Sequence, residues 1–126
     1  MEKILIIDDD RKIRELYRNL LADDGFEVLE AANAVEASAI ITQDDIDLII
    51  LDIHMPGIDG GRIFKLVYDF DKDIKIIVSS TIPLDEQKKR IISAYDYHDK
   101  SEGVEDLRSK IQRALENKKS LETLHI

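Results

Sequence analysis

Short apolar runs alternate with longer amphipathic stretches along the whole chain, and this alternation predicts five strand–helix units. The runs contain few polar positions, which is typical of strands that are buried on both faces of a parallel sheet. The predicted strands are residues 3–7, 26–31, 47–51, 75–79 and 95–98. Because crossover helices connect parallel strands, we expect an α/β fold with the sheet between two helical layers.

The intervening stretches carry apolar residues at three- and four-residue spacing, as helices that pack against a sheet require. Predicted helices cover residues 10–23, 34–42, 61–68, 85–93 and 104–117, with Asn33 as the cap of the second. The positions expected to face the core are Ile13, Leu16, Leu20, Leu21, Val35, Ala39, Ile40, Ile63, Leu66, Val67, Leu107, Ile111 and Leu115. We expect one domain over residues 1–118, with residues 119–126 as a tail or a continuation of the last helix.

Composition and charge narrow the class of protein. The 126 residues are 44% hydrophobic and include no cysteine, which suits one folded domain in a reducing compartment. No apolar stretch is long enough for a signal-peptide core or a membrane span. The net charge of −9 works against non-specific binding to nucleic acid. We therefore expect a cytoplasmic protein that binds neither nucleic acid nor membranes.

Polar side chains with distinct chemistry follow four of the predicted strands. Residues 8–10 are all aspartate, Asp52 follows the third strand, hydroxyl residues occupy positions 79–81, and Lys100 follows the fifth strand. In an open parallel sheet the functional site lies beyond the carboxyl ends of the strands. The fold is therefore expected to bring these residues to one edge of the sheet.

A divalent cation would relieve the mutual repulsion of several carboxylates at this edge. Mg²⁺ prefers oxygen ligands and is often held by one or two carboxylates together with phosphate oxygens. Asp9 and Asp52 are predicted to supply side-chain ligands, with Asp8 close by. The backbone carbonyl of His54 is the expected third protein ligand.

The same residues suit phosphoryl transfer to a carboxylate. Asp52 is predicted to act as the nucleophile, while Mg²⁺ and Lys100 neutralise phosphoryl charge and Ser80 donates a hydrogen bond. Each residue taken alone has a simpler explanation, since aspartates cap helices and turns and an isolated lysine is usually solvated. The combination at four strand ends favours the phosphoryl-transfer hypothesis.

Four segments resemble the motifs of response-regulator receiver domains, a family of two-component signalling proteins. They are KILIIDDD at residues 3–10, DLIILDIHMPGIDG at 47–60, DIKIIVSS at 73–80 and DYHDK at 96–100. The resemblance spans about residues 3–116, and the second segment is specific by itself. It implies a flavodoxin-like, doubly wound (βα)5 fold whose five parallel strands have the order 2-1-3-4-5, with helices on both faces.

The resemblance also implies a role for individual side chains. The implied roles are an acidic metal-binding pair (Asp8, Asp9), a phosphoacceptor (Asp52), a switch hydroxyl (Ser80), an aromatic switch residue (Tyr97) and a phosphate-neutralising lysine (Lys100). Ser79 is the alternative for the hydroxyl. In the family, the aromatic residue moves inward when the hydroxyl engages the phosphate.

Receiver domains take a phosphoryl group from a histidine kinase or a histidine phosphotransfer protein, and the resemblance implies this for the present chain. Phosphorylation would alter the surface formed by the fourth helix, fifth strand and fifth helix, and so the affinity for a downstream target protein. We expect a monomer or a phosphorylation-dependent dimer. Beyond its own phosphorylation and dephosphorylation, no turnover of small molecules is expected, so the chain is not predicted to be a separate enzyme.

Three positions depart from the family pattern. Ser101 stands where the family usually has a proline after the lysine, which predicts a trans peptide and a less firmly held Lys100. The segment between Ser80 and Lys100 is about two residues short, which predicts an abbreviated or irregular fourth helix. Ser93 replaces a common glycine. His54 and Ile82 occupy positions that tune the lifetime of the phosphate in the family.

Two other functions are compatible with parts of this pattern. A receiver whose switch has decayed would act as a phosphorylation-independent interaction module, and the Ser101 departure favours it modestly. A small Mg²⁺-dependent phosphohydrolase would also use Asp52 as nucleophile, but His54 stands where such enzymes usually have a second acid. A DNA-binding output is not expected, because no basic stripe appears and no helix-turn-helix follows Asn117.

Overall fold

The structure is a computed structural model that describes residues 1–55 and 58–124, with side chains described for residues 1–54 and 60–116. The described elements, in chain order, are β1 (Lys3–Ile7), α1 (Arg11–Asp23), β2 (Glu27–Ala31), α2 (Ala34–Gln43), β3 (Leu48–Leu51), β4 (His54–Met55), β5 (Ile58–Asp59), α3 (Gly60–Phe70), β6 (Lys75–Ser80), α4 (Leu84–Arg90), β7 (Asp96–Asp99), a 3-10 turn (Lys100–Glu102) and α5 (Val104–Leu124). Residues 56–57 of the predicted loop and 125–126 of the predicted tail lie outside the described residues.

Five parallel strands form one sheet in the order β2-β1-β3-β6-β7. Counted over the five predicted strands, this is the order 2-1-3-4-5, so the predicted flavodoxin-like fold is confirmed. The central strands are unbroken apolar runs, and every residue of β3 is buried. Burial on both faces explains why these strands lack the polar alternation of a half-exposed sheet.

Two apolar layers cover the sheet. One face packs against α1 and α5, with Tyr17, Leu21, Leu107 and Ile111 contacting the even-numbered positions of β1 and β3. The other face packs against α2 and α3, whose Ile41, Ile63 and Val67 contact the odd-numbered positions. Successive strand residues point to opposite faces, so one residue along a strand decides which helical layer a side chain meets. The same alternation places Ser79 and Ser80, neighbours in β6, on opposite faces of the sheet.

Four predicted core positions are wrong, because α3 buries a narrower stripe than predicted and α1 and α2 bury different stripes. Leu16, Leu66, Val35 and Ala39 lie on exposed surface. In α2 the buried positions are Ala37 and Ile41, four residues apart. Apolar residues fill most of positions 34–41, so the sequence is compatible with more than one buried face of this helix.

The last third of the chain differs in detail from the prediction. Helix α4 ends at Arg90 and has seven residues, which agrees with the abbreviated helix expected from the short segment after Ser80. Helix α5 continues through Leu124, which is the second of the two alternatives predicted for the end of the chain, a tail or a continuation of the last helix. The predicted loop after Asp52 contains the short antiparallel pair β4–β5, which the sequence did not predict. No helix in the described part of the chain is long and apolar enough to cross a bilayer.

Candidate functional site

Three carboxylates meet beyond the carboxyl ends of β1 and β3. Asp8 and Asp52 continue the parallel ladder, because their N–H groups donate to Ala31 O and Ile7 O at 3.1 and 2.9 Å. One oxygen from each of Asp8, Asp9 and Asp52 lies within 4.8 Å of the others. Asp8 and Asp52 are buried, whereas Asp9 is exposed. The cluster is therefore open to solvent on one side, and its oxygen donors are of the kind that Mg²⁺ takes.

Local turns hold the two buried carboxylates. Asp8 Oδ1 accepts a hydrogen bond from the N–H of Asp10, and Asp52 Oδ1 accepts one from the N–H of His54, both at 2.9 Å. Each carboxylate is thereby held through its Oδ1 by the backbone N–H of the residue two positions further along the chain. The second oxygen, Oδ2, is directed to the ammonium group of Lys100.

Lys100 connects the two carboxylates electrostatically. Its Nζ donates to Asp8 Oδ2 at 2.8 Å and to Asp52 Oδ2 at 3.2 Å. Burial alone would lower the pKa of Lys100, but its hydrogen bonds and charge contacts with Asp8 and Asp52 raise it above the usual value. Burial raises the pKa of Asp8, against the opposing effect of Lys100. The lysine is thus held in its charged form beside the predicted phosphoacceptor.

The two serines at the end of β6 face different helical layers. Ser79 Oγ lies 3.2 Å from the hydroxyl of Tyr17 on α1. Ser80 is fully buried, and its Oγ accepts a hydrogen bond from the N–H of Ile82 at 3.3 Å. Strand alternation places Ser80 on the same side as Val78 and Tyr97, which share one apolar cluster. Only Ser80 has a side chain on the face that leads to Tyr97.

Tyr97 points inward in this structure. Its side chain is buried, and its hydroxyl donates to the carbonyls of Ile91 and Ile92 just beyond α4. Burial raises the pKa of Tyr97, so the hydroxyl stays protonated and able to donate. The hydroxyl therefore connects β7 to the residues that follow α4.

The loop that carries Lys100 is held without a proline. The described backbone contains no cis peptide bond, so the Lys100–Ser101 peptide is trans. Asp99 Oδ1 accepts from both the N–H and the hydroxyl of Ser101. Sequence reasoning missed Asp99, although an aspartate two residues before a serine matches the known Asx-turn pattern. Without the proline, Lys100 Nζ still makes two ionic contacts, and its looser hold stays a prediction.

Gly60 brings α3 close to the site. A Cβ at this position would lie 2.7 Å from the Cα and Cβ of Ile53, which is the residue after Asp52. Only glycine permits this approach of the helix to the backbone beyond β3. His54 is exposed and follows in β4, where it pairs with Asp59. Its carbonyl as a metal ligand stays a prediction.

Comparison with known proteins gives one consistent family. The family model of the response regulator receiver domain matches residues 4–112. Sporulation initiation phosphotransferase F of Bacillus subtilis is 32% identical over 116 residues, covering 90% of this chain and 94% of that protein. Response regulator MprA of Mycobacterium avium is 31% identical over 121 residues, covering 93% of this chain. This chain spans only 52% of the length of MprA.

Solved structures agree with the sequence comparisons. Response regulator TrrA of Thermotoga maritima, in complex with Mg(2+)-BeF, is 33% identical with a TM-score of 0.82, covering 90% of this chain and 99% of that one. TrrA in complex with the histidine kinase ThkA is 34% identical with a TM-score of 0.82, covering 91% and 99%. A CheY-like receiver domain protein of Methanospirillum hungatei is 27% identical with a TM-score of 0.88, covering 95% and 98%.

Proposed function

We propose that this chain is a switch that accepts a phosphoryl group on Asp52. The chain belongs to the family of response regulator receiver domains. The observation that carries the proposal is the contact of Lys100 Nζ with Asp52 Oδ2 at 3.2 Å, inside a cluster of three carboxylates. The proposed nucleophile Asp52 is buried and lies at one sheet edge with the Lys100 ammonium group. Carboxylate oxygens suited to a metal ion lie at the same edge. This combination suits phosphoryl transfer, which depends on positioning and charge neutralisation.

The proposed reaction is a displacement at phosphorus. Asp52 Oδ2 attacks the phosphorus of a phosphohistidine, so a new O–P bond forms while the N–P bond breaks. The electron pair of the broken bond stays on the histidine nitrogen of the donor protein. Asp52 Oδ1 remains bonded to the N–H of His54 at 2.9 Å, which keeps the carboxylate oriented during the attack.

Mg²⁺ is the cation that the donor set fits best. Asp9 and Asp52 would hold it through side-chain oxygens, with Asp8 adjacent and the His54 carbonyl as a further ligand. When bound, the ion supplies neutralisation of negative charge on the phosphoryl oxygens. Lys100, whose Nζ contacts Asp52 Oδ2, would neutralise the remaining charge.

The response to phosphorylation would begin at Ser80. We propose that its hydroxyl leaves the N–H of Ile82 and donates to a phosphoryl oxygen, which shifts the loop between β6 and α4. Tyr97 is already inward in this structure. The change proposed there is therefore a new set of contacts for its hydroxyl, now bonded to the carbonyls of Ile91 and Ile92. Phosphorylation biases an equilibrium between two such arrangements.

The donor and the target are protein partners. TrrA has been solved with a histidine kinase, and we propose that a histidine kinase or a histidine phosphotransfer protein supplies the phosphoryl group here. A downstream target protein would recognise the altered surface of α4, β7 and α5, with the chain as a monomer or a phosphorylation-dependent dimer. A decayed switch is the competing function. The two ionic contacts of Lys100 count against it.

A titration with Mg²⁺ and beryllofluoride, which mimics a phosphoryl group, tests this function by two-dimensional NMR. We expect the amide signals of Asp52, Ser80 and Lys100 to shift in the native chain and to stay unchanged in Asp52→Asn. Asp69→Asn removes an exposed carboxylate on α3 and serves as the matched control. A native chain that does not respond, or an Asp52→Asn variant that responds equally, would contradict the proposal.

A further inference from the structure

Gln87 is a fully buried polar residue on the short helix α4. The two N–H groups of its side-chain Nε2 are shared among three backbone carbonyls, those of Ile82 at 2.6 Å, His98 at 2.9 Å and Ser80 at 3.3 Å. These carbonyls belong to the loop after β6, to β7 and to the end of β6. One amide group therefore joins α4 to β6 and β7, the strands that contain Ser80 and Tyr97.

The other end of the same amide has no partner. Gln87 Oε1 is buried and makes no hydrogen bond to any residue in the described part of the chain. A buried acceptor without a donor is costly and uncommon in folded proteins. An amide that is saturated on its donor side and empty on its acceptor side can gain a hydrogen bond in a second conformation.

The segment from Ser80 to Ile82 is held at both of its ends by the same two side chains. Ser80 Oγ accepts from the Ile82 N–H at 3.3 Å, while Gln87 Nε2 holds the carbonyls of both residues. A movement of the Ser80 hydroxyl would release the Ile82 N–H, which lies in the segment whose carbonyls Gln87 holds. Gln87 therefore links this segment to α4 by direct contact.

His98 extends the connection to the second switch residue. Its carbonyl is bonded to Gln87, and it directly follows Tyr97 in β7. Tyr97 meets the carboxyl end of α4 through Ile91 and Ile92. Helix α4 is thus attached to β7 at two levels, and Gln87 is the attachment that also contacts Ser80.

We infer that Gln87 is a positioning residue that couples the hydroxyl of Ser80 to helix α4 and strand β7. The inference rests on the proposed function, because it concerns how the message of Asp52 phosphorylation spreads. Gln87 touches no reacting atom. It holds the backbone carbonyls of Ser80 and Ile82 through Nε2, and its buried Oε1 is available to accept a hydrogen bond in a second conformation.

Gln87→Met tests the coupling, because methionine has a similar length and no amide. The probe is Mg²⁺ with beryllofluoride, followed at the amides of Asp52 and Ser80 and, separately, at those of Lys88 and His98. We expect all four amides to respond in the native chain. In Gln87→Met, we expect the response at Lys88 and His98 to fall several-fold while the response at Asp52 persists. A merely structural glutamine would leave the ratio of the two responses unchanged.

Gln112→Met, at an exposed position of α5, is the matched control and is expected to behave like the native chain. If Gln87→Met does not fold, Gln87→Asn keeps the amide but lacks one methylene, and the same loss at Lys88 and His98 is expected. A native chain that ignores beryllofluoride overturns the proposed function and this inference together. A native chain that responds, with an equal response at Lys88 in the Gln87 variant, overturns the inference alone.

Discussion

The carboxylate of Asp99 accepts two hydrogen bonds from Ser101, one from the backbone N–H at 2.9 Å and one from the hydroxyl at 2.7 Å. Lys100 lies between these residues, and its Nζ contacts Asp8 and Asp52. The cap begins the 3-10 turn and fixes the backbone from which the lysine side chain extends. A polar cap therefore stands where the family usually has a proline.

Removal of this cap should weaken the function of Lys100. We expect Asp99→Ala to lower the initial rate of Asp52 phosphorylation several-fold, because the lysine side chain would start from a mobile backbone. Asp99→Asn keeps an oxygen acceptor without the charge, so it should retain most of the rate. Rates measured with a small-molecule phosphoryl donor distinguish the two. Equal rates in Asp99→Ala and the native chain would show that the cap is dispensable.

Ser80 and Ser79 should respond differently to loss of the hydroxyl. In Ser80→Ala, beryllofluoride should still bind at Asp52 while the NMR response of Tyr97 disappears, because Ser80, and not Ser79, lies on the same face of the sheet as Tyr97. Ser79→Ala should preserve the response and cost about 1 kcal/mol of stability through the lost contact with Tyr17. The opposite pattern would move the switch role to Ser79.

A threonine at position 80 offers a test in the other direction. The additional methyl group restricts side-chain rotation, so Ser80→Thr should shift the beryllofluoride-bound chain further toward the switched conformation by NMR. No change in the bound-state signals would count against Ser80 as the coupling hydroxyl.

Gly60→Ala should destabilise the fold next to the site. The new Cβ would lie 2.7 Å from the Cα and Cβ of Ile53, so that α3 or the backbone after Asp52 must shift to admit it. Overpacking of this kind costs about 1–3 kcal/mol of unfolding free energy. Thermal unfolding followed by circular dichroism should show a melting temperature lower by several degrees. An unchanged melting temperature would mean that α3 can move away from Ile53 at little cost.

The ion pair between Asp24 and Arg108 should make stability depend on pH. Hydrogen bonds from Arg108 hold the pKa of Asp24 below its usual value. Because the folded pKa is depressed, the stabilising contribution is complete above the unfolded value of about 3.9 and is lost as pH falls through the lower folded value. Native chain and Asp24→Asn should differ in stability at neutral pH and converge in strong acid. A difference that does not change with pH would exclude this linkage.

The sequence predicted the site at the sheet edge better than it predicted the helices. Asp8, Asp52 and Lys100 follow apolar runs whose ends must meet in a parallel sheet, and the structure brings all three within ionic contact. Helix α2 was harder, because neighbouring apolar residues allow several phases. In the structure, Ala37 and Ile41 are the residues of α2 that are buried.

The connections made by Asp99 and Gln87 were not predicted, for different reasons. Asp99 acts locally, and its Asx-turn pattern with Ser101 was present in the sequence but was outweighed by the missing proline. The three partners of Gln87 lie on β6, the following loop and β7. Their convergence depends on how α4 docks on the sheet, and no local spacing reports that.

The most direct test of the central claim is to locate a phosphoryl group by mass spectrometry after incubation with Mg²⁺ and a phosphorylated histidine kinase or a small-molecule donor. We predict one phosphoryl group per chain, on Asp52, that is absent in Asp52→Asn and after chelation of the metal. A native chain that gains no mass, or a phosphoryl group that persists in Asp52→Asn, would contradict the account.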